Sequence, residues 1–185
     1  IQWRIGKLSI SDEFINEKLG EIEQSVRGVL IFSDKLKDEL VKQGEEEPVM
    51  ISAQELFKEV TVLPSLPSNI SVNLDIDDGV GPVQVIHNQV VDILHNLITN
   101  AIDAMPSGGK IDLQARNSGH FVALEVTDTG IGIPVNQQSK IFDLSFSTKS
   151  SSGFGLWSAR RNALRNGGEL RLESRPGCTS FTLLL

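Results

Sequence analysis

The sequence has one cysteine, no apolar run that approaches the length of a membrane span, and no surplus of basic residues. A single cysteine, Cys178, excludes an internal disulfide and fits a reducing compartment, so we expect a cytoplasmic location. The formal net charge of -7 argues against a protein that binds nucleic acid by neutralising phosphates. An acidic chain that binds a nucleotide must therefore supply local positive groups or a metal ion.

The first part of the chain has the pattern of a helical dimerisation segment. Residues 1–8 have the pattern of the tail of an amphipathic helix. Apolar residues then recur from Ile15 to Leu40 at alternating steps of three and four, apart from Ser33. This spacing is typical of a coiled-coil seam and predicts a homodimer through residues 11–42. The alternative is an amphipathic helix that packs on its own domain, which Gly20 and Gly28 favour because glycine weakens a long helix.

Charged residues with a glycine and a proline mark a boundary before the second part of the chain. Residues 45–48 are predicted to be a linker between helices at 1–44 and a domain at 49–185. In that domain, apolar periodicity and turn residues predict helices alternating with a largely antiparallel sheet, an α+β layered fold. The predicted strands are 49–52, 70–76, 110–116, 120–127, 170–174 and 179–185. The first predicted helix is capped by Ser52, with Glu55 three residues on completing a capping box, and two further helices are predicted at about 84–105 and 153–166.

The stretch Asp128-Thr-Gly-Ile-Gly-Ile-Pro134 follows a predicted strand and is the first candidate site. Its carboxylate accepts hydrogen bonds and suits the exocyclic amine of an adenine. Gly130 and Gly132 let the backbone pass close to a flat ligand. The alternative is an ordinary turn, because Asp, Gly and Pro are turn residues in any case.

The predicted helix at about 84–105 carries polar residues on one face, opposite a wide apolar face. Asn96 and Asn100 lie one turn apart in its middle, although asparagine is a mediocre helix former. The side-chain oxygen of Asn100 is a hard ligand that suits Mg²⁺. A solvated polar face is the favoured interpretation of Asp92 and Asp103, although Asp103 stays among the candidate nucleotide-binding residues.

A second candidate region combines a cation with glycines ahead of a helix. Ser147-Thr148-Lys149 is followed by Gly153-Phe154-Gly155-Leu156. A glycine-bearing loop that leads into a helix presents backbone N–H groups to an anion, and Lys149 adds a positive charge. An isolated Gly-x-Gly or a surface lysine would be weak support for a site.

Taken together, these segments resemble the conserved boxes of sensor histidine kinases. Residues 96–105 resemble the N box, 128–134 the first glycine box, 141–149 the phenylalanine box and 151–156 the second glycine box, and residues 167–181 are similar to the closing hairpin. The resemblance implies a Bergerat-type ATP-binding fold, a two-layer α/β sandwich shared with gyrase and the Hsp90 chaperones. Residues 1–44 resemble part of a dimerisation and histidine-phosphotransfer domain.

The resemblance also implies roles for individual residues. Asp128 would hold the adenine amine with Thr179 beside it through water, Asn100 would bind Mg²⁺, and residues 135–153 would form a lid over ATP. Catalytic roles would fall on Asn96, Asn100 and Lys149. The full set of candidate nucleotide-binding residues is Asn96, Asn100, Asp103, Asp128, Gly130, Gly132, Ile133, Phe142, Phe146, Thr148, Lys149, Gly153, Phe154, Gly155, Leu156 and Thr179.

The implied reaction is transfer of the γ-phosphoryl group of Mg·ATP to a histidine, for relay to the receiver domain of a response regulator. None of the three histidines, His87, His95 and His120, lies in an acceptor motif, so we expect a truncated chain that cannot phosphorylate itself. Ser151 and Cys178 stand where the family pattern has glycine. One alternative is a hydrolytic ATPase, which Asn96 disfavours because those relatives carry a glutamate base there. The other is a degenerate dimeric adaptor.

Overall fold

The computed structural model of the chain describes residues 18–20, 26, 30, 33, 47–62, 66–144 and 153–185. The described residues before residue 34 are helical, and most of the predicted dimerisation segment 11–42 lies outside the described residues. Dimerisation and the domain boundaries therefore stay predictions. Phe146, Thr148, Lys149 and Ser151 also lie outside the described residues.

Four helices and seven strands make up the described part of residues 49–185. In chain order they are β1 Val49–Ile51, α1 Ala53–Val62, β2 Ile70–Ile76, β3 Val83–Val85, α2 His87–Ala104, β4 Gly109–Ser118, β5 Phe121–Asp128, α3 Val135–Gln138, α4 Gly155–Arg165, β6 Glu169–Arg175 and β7 Cys178–Leu184.

Five of the strands form one sheet in the order β2-β4-β5-β7-β6. β2 pairs with β4 in parallel, and the other neighbours in this sheet are antiparallel. β1 and β3 form a separate antiparallel pair. Helix α2 contacts β5, α4 contacts β6, and both α1 and α4 pack against α2. This layer of helices on a five-stranded sheet confirms the predicted two-layer α+β fold.

The core lies between α2 and the sheet. The helix buries one apolar face, as the sequence predicts, and the central strands bury every second residue against it. The fully or almost fully buried side chains here include Ile93, Leu94, Leu97, Ile98, Ala101, Ile111, Leu113, Leu124, Val126, Phe181 and Leu183. At about 0.8 kcal/mol per buried methylene group, this layer is the main source of stability of the domain.

Three predicted boundaries differ from the structure by more than one residue. The helix predicted from about residue 84 begins at His87, because residues 83–85 form β3 and pair with β1. The helix predicted from residue 153 begins at Gly155. The turn predicted at 117–119 lies at 119–120, because β4 continues to Ser118 opposite Phe121, so His120 lies in the turn and does not open β5.

The predicted capping box at the start of α1 is confirmed. The Glu55 carboxylate accepts hydrogen bonds from the Ser52 backbone N–H at 3.0 Å and from the Ser52 hydroxyl at 2.7 Å. The Glu55 backbone N–H donates to Ser52 Oγ at 3.2 Å. These reciprocal bonds satisfy backbone groups that the first turn of a helix leaves unpaired.

Every helix in the described part of the chain is too short or too polar to span a bilayer.

Candidate nucleotide-binding site

The candidate site begins with a row of three polar side chains across neighbouring strands. Asp128 on β5 is the register partner of Thr179 on β7, and Thr179 is also the partner of Ser174 on β6. All three occupy positions of the strand alternation that face the helices. Asp128 is 4% exposed and Thr179 is 2% exposed. Polar groups buried in this way require hydrogen-bond partners from the protein, water or a ligand.

The Asp128 carboxylate is held in place by the loop that follows it. Its Oδ1 accepts a hydrogen bond from the Gly130 N–H at 2.8 Å. Thr129, between these residues, accepts from the Lys110 N–H at 3.0 Å and so ties the loop to β4. The carboxylate is therefore fixed in orientation, and an ionised carboxylate is an acceptor for donors such as an amine.

Gly130 fits a narrow space between α2 and the sheet. A Cβ there would lie 2.7 Å from the Ala104 Cβ, from the Ala104 carbonyl oxygen and from Asp128 Oδ1. The Ile131 N–H donates to the Ala104 carbonyl at 3.2 Å, which holds the loop against the end of α2. Glycine is therefore required for this close approach of backbone to helix.

Gly132 is constrained in two ways. Its φ is +78°, in the left-handed region that favours glycine, and a Cβ would lie 2.6 Å from the Arg175 carbonyl oxygen. The Gly177 N–H donates to the Gly130 carbonyl at 3.0 Å, so the loop also contacts the β6–β7 turn. The predicted glycine positions thus lie beside Asp128, as the sequence indicated.

A polar clamp, defined here as Ser174 and Gln138, holds the half-buried Ile133. Ser174 Oγ accepts from the Ile133 N–H at 2.9 Å. Gln138 Nε2 donates to the Ile133 carbonyl at 2.8 Å and to the Ser174 carbonyl at 3.0 Å. Ser174 Oγ also lies 2.9 Å from Thr179 Oγ1, within a hydrogen bond. Neither clamp residue was predicted, although Ser174 occupies the inward alternation of β6 after Leu170 and Leu172.

The polar face of α2 lies beside the start of α4. Asn96 is half-buried, and its Nδ2 donates to the Asp92 carbonyl at 2.9 Å. A Cβ on Gly155 would lie 2.9 Å from Asn96 Oδ1, so the first residue of α4 contacts this amide. Asn100, one turn later, is also half-buried, whereas Asp92 and Asp103 are exposed. The structure brings Asn96 and Gly155 together, as predicted for residues of one site.

Both ends of the predicted lid carry aromatic contacts. Phe142 meets Phe181 of the core edge-on, with ring centroids 6.4 Å apart, and the Arg160 guanidinium lies 5.4 Å from the Phe142 centroid. At the other end, the buried Phe154 packs against Trp157 at 5.3 Å. Gly153 has a φ of +62°, and Leu156 is half-buried in the first turn of α4. These aromatic contacts lie before and after residues 145–152 of the predicted lid.

Comparison with known protein families gives one match that covers more than half of the chain. The family described as histidine kinase-, DNA gyrase B- and HSP90-like ATPases matches residues 85–185. The matched region contains Asp128, Asn96, Asn100 and the polar clamp.

The curated relatives include a sensor protein and a histidine-protein kinase. The alginate biosynthesis sensor protein KinB of Pseudomonas aeruginosa is 33% identical over 111 residues, which are 58% of this chain and 19% of KinB. The signal transduction histidine-protein kinase AtoS of Escherichia coli is 31% identical over 141 residues, 73% of this chain and 23% of AtoS. The chain thus spans about a fifth of the length of these two relatives.

Solved structures give the same likeness. The catalytic domain of histidine kinase ThkA, in a nucleotide-free form, aligns with a TM-score of 0.67 at 28% identity, over 75% of this chain and 97% of that domain. The mycobacterial sensor histidine kinase MprB aligns with a TM-score of 0.64 at 25% identity, over 76% of this chain and 97% of the other.

Proposed function

The chain belongs to the family of histidine kinase-, DNA gyrase B- and HSP90-like ATPases, and from this premise we propose that it catalyses γ-phosphoryl transfer from Mg·ATP to a histidine. The observation that carries the proposal is the buried carboxylate of Asp128, followed by a loop in which Gly130 and Gly132 have no room for a side chain. A buried carboxylate and a backbone without side chains suit a flat base that carries an amine.

Asp128 would accept a hydrogen bond from the adenine amine, and Thr179 would contact the base beside it. Gly130, Gly132 and Ile133 would border the base, because they form the wall next to Asp128. Asn96 and the start of α4 would lie near the phosphates, since the first N–H groups of a helix attract anions. We assign Lys149, Thr148 and Phe146 to the lid on the sequence resemblance alone.

The polar side chains near α2 fit a magnesium ion that is held mainly by phosphate oxygens and water. Within the described ranges, no three His, Cys, Asp or Glu side chains converge as a metal site. One amide oxygen, from Asn100, would complete the coordination, which is compatible with the way Mg²⁺ keeps several waters. When bound, the ion would neutralise charge on the transferring phosphates.

A kinase reaction is favoured over hydrolysis. Water requires a base for activation, and an asparagine at position 96 cannot take a proton. A neutral imidazole is already a nucleophile, so positioning and charge neutralisation suffice. His87 is on α2, where Nε2 lies 2.8 Å from Glu59, His95 is also on α2, and His120 is in a turn. We propose that none of these three is the acceptor.

Partners follow from this proposal. A second copy of the chain would dimerise through residues 11–42, where the described Leu19, Val26 and Leu30 are more than half exposed. The receiver domain of a response regulator would take the phosphoryl group, and the region would work in the cytoplasm. An acidic chain of net charge -7 is not expected to bind nucleic acid.

Nucleotide titration of Asp128→Asn tests the adenine site. We expect the wild-type chain to bind Mg·ATP in a calorimeter, and the substitution to weaken binding by about 10- to 100-fold, because a hydrogen bond to a charged group contributes about 1.5–3 kcal/mol. Asp75→Asn, the same change on the exposed β2 strand, is the control and should bind normally. A wild-type chain that gives no heat would reject the function, and an unchanged Asp128→Asn affinity would place the base elsewhere.

Asn100→Ala tests the magnesium assignment. Removing the amide oxygen should reduce the gain in ATP affinity that Mg²⁺ provides, while binding measured with EDTA stays the same. Thr99→Ala changes the neighbouring exposed residue of α2 and should preserve the full magnesium effect. Equal magnesium dependence in Asn100→Ala and wild type would show that Asn100 is not a ligand.

A further inference from the structure

A chain of hydrogen bonds runs from the loop at Ile133 to the candidate adenine site. The Ile133 N–H donates to Ser174 Oγ at 2.9 Å, and Ser174 Oγ lies 2.9 Å from Thr179 Oγ1. Thr179 is in turn the register partner of Asp128. The two hydroxyls share one hydrogen bond, so only one of them donates within the pair.

The charge of Asp128 decides the direction of that bond. A buried carboxylate one strand away attracts hydroxyl protons, and electrostatic interactions are stronger in a buried site than in water. The favoured arrangement has the Ser174 hydroxyl donating to Thr179 Oγ1. The proton of Thr179 then points away from Ser174, toward the side of the row where Asp128 lies. In this arrangement Asp128 presents an acceptor and Thr179 a donor to the same ligand.

We propose that Ser174 is a positioning residue that fixes Thr179 as a donor and thereby contributes to selection of adenine over 6-oxopurines. The inference rests on the proposed function, because it requires a purine at Asp128. Adenine presents an amine donor at C6 and an acceptor at N1, which match Asp128 and a Thr179 hydroxyl that donates directly to N1. Hypoxanthine presents the reverse pattern, an acceptor at C6 and a donor at N1, so a fixed donor at Thr179 disfavours it.

A substitution of Gln138 distinguishes the proposed role of Ser174 from general support of the loop. The Gln138 amide donates to the backbone carbonyls of Ile133 at 2.8 Å and Ser174 at 3.0 Å, and these bonds involve neither the Ser174 nor the Thr179 hydroxyl. Loosening the loop by substituting Gln138 should reduce the binding affinity for both purines equally. Loss of Ser174 should in addition release the Thr179 hydroxyl, which can then rotate and accept from N1–H of hypoxanthine.

The test compares the affinities for ADP and inosine 5′-diphosphate by calorimetry, since diphosphates avoid turnover. We expect Ser174→Ala to lower the ratio of ADP to inosine diphosphate affinity by about 3- to 10-fold, the range of one ordinary hydrogen bond. Ser174→Thr retains the hydroxyl and should restore the ratio. Gln138→Leu should weaken both ligands and leave the ratio as in wild type.

A matched control comes from the opposite face of the same hairpin. Ser180 donates to Glu125 at 2.7 Å on the side away from the helices, so Ser180→Ala removes an equivalent hydroxyl outside the site and should leave both affinities unchanged. If Ser174→Ala does not fold by circular dichroism, Ser174→Cys retains the volume with a weaker donor and should lower the ratio as well.

Two results would overturn the inference. One is a ratio that stays at the wild-type value in Ser174→Ala or Ser174→Cys while ADP still binds. The other is a ratio that falls equally in Gln138→Leu, which would assign the effect to the loop. Failure of the wild type to bind either diphosphate is a separate outcome that would remove the proposed function together with the inference.

Discussion

At the scale of single residues, the candidate site is a place where the inward-facing residues of the sheet are polar, whereas those of the core are apolar. One row of inward side chains across β5, β7 and β6 is apolar and consists of Val126, Phe181 and Leu172. The next row toward the loop is polar, with Asp128 and Thr179 almost fully buried. Buried polar groups cost stability unless they are paired, so a polar row at this place is consistent with a ligand site.

Gly132→Ala tests the left-handed loop residue. Its φ of +78° strains any other residue, and the new Cβ would meet the Arg175 carbonyl at 2.6 Å. We expect loss of about 1–3 kcal/mol in the free energy of unfolding and weaker ATP binding, because the loop must move away from Asp128.

Gly79→Ala is the matched control for that change. Gly79 has a φ of +87° with open space around it, so its substitution carries the backbone strain without a clash. Urea unfolding and nucleotide titration of both variants distinguish the effect of backbone strain, which the two share, from that of the steric clash, which only Gly132→Ala has. Equal losses of stability with unaltered nucleotide binding in Gly132→Ala would contradict a role for this glycine in shaping the site.

The proximity of Asp128 to the two glycines was predictable because they lie within five residues of each other. The supporting contacts from Ser174 and Gln138 were not predicted. Ser174 reaches Ile133 across 41 positions of sequence, and that contact depends on the register of β6 against β7. Local sequence patterns predict contacts between residues that are close in sequence. A contact such as that of the Ser174 hydroxyl can be identified only when the strand register is known.

At the scale of elements, the capping box of α1 predicts a pH dependence. Hydrogen bonds from the Ser52 backbone N–H and then the Ser52 hydroxyl lower the pKa of Glu55 from its ordinary value of 4.5. A carboxylate with a lowered folded pKa stabilises the fold above its unfolded pKa, and this contribution is lost as pH falls through the folded pKa. Stability should therefore decline below about pH 4.5 partly through Glu55.

Glu55→Gln checks this assignment. We expect the variant to be less stable than wild type at neutral pH, with the difference narrowing as the solution is acidified through that window. Urea unfolding at several pH values measures it, and Glu47→Gln, a change outside the capping box, should follow the wild-type curve. A stability difference that is independent of pH would show that the charge of Glu55 does not contribute.

The types of the predicted elements were confirmed where their periodicity is long, as in α2 and β2. The boundary before α2 was wrong because of a tertiary contact. Val83 and Val85 alternate with an exposed Gln84 and pair with Ile51 and Val49 of β1. Strand β1 is distant in sequence from β3, so its pairing with residues 83–85 could not be predicted. The prediction therefore extended the helix that begins at His87 back over these residues. The turn at Gly119 was misplaced for a related reason, since the pairing of Ser118 with Phe121 sets its position.

At the scale of the whole molecule, the two faces of the sheet differ in a way that local sequence shows only in part. The outer face carries polar pairs across strands, such as Asn73 with Asp112 and Gln114 with Asp75. The inner face carries the core and the candidate site. Alternation within a strand predicts one apolar face, but it does not predict the strand order β2-β4-β5-β7-β6. The fold was predictable here because the motifs resemble those of a family with a known architecture.

The position of β7 has a consequence for how the domain is synthesised. It is the last strand along the described chain, yet it lies inside the sheet between β5 and β6. A nascent polypeptide that has not yet released residues 178–184 from the ribosome leaves β5 with an unsatisfied edge and Asp128 without its neighbour Thr179. The proposed ability to bind a purine would therefore appear in one step, when β7 inserts between β5 and β6, and would not increase gradually during translation.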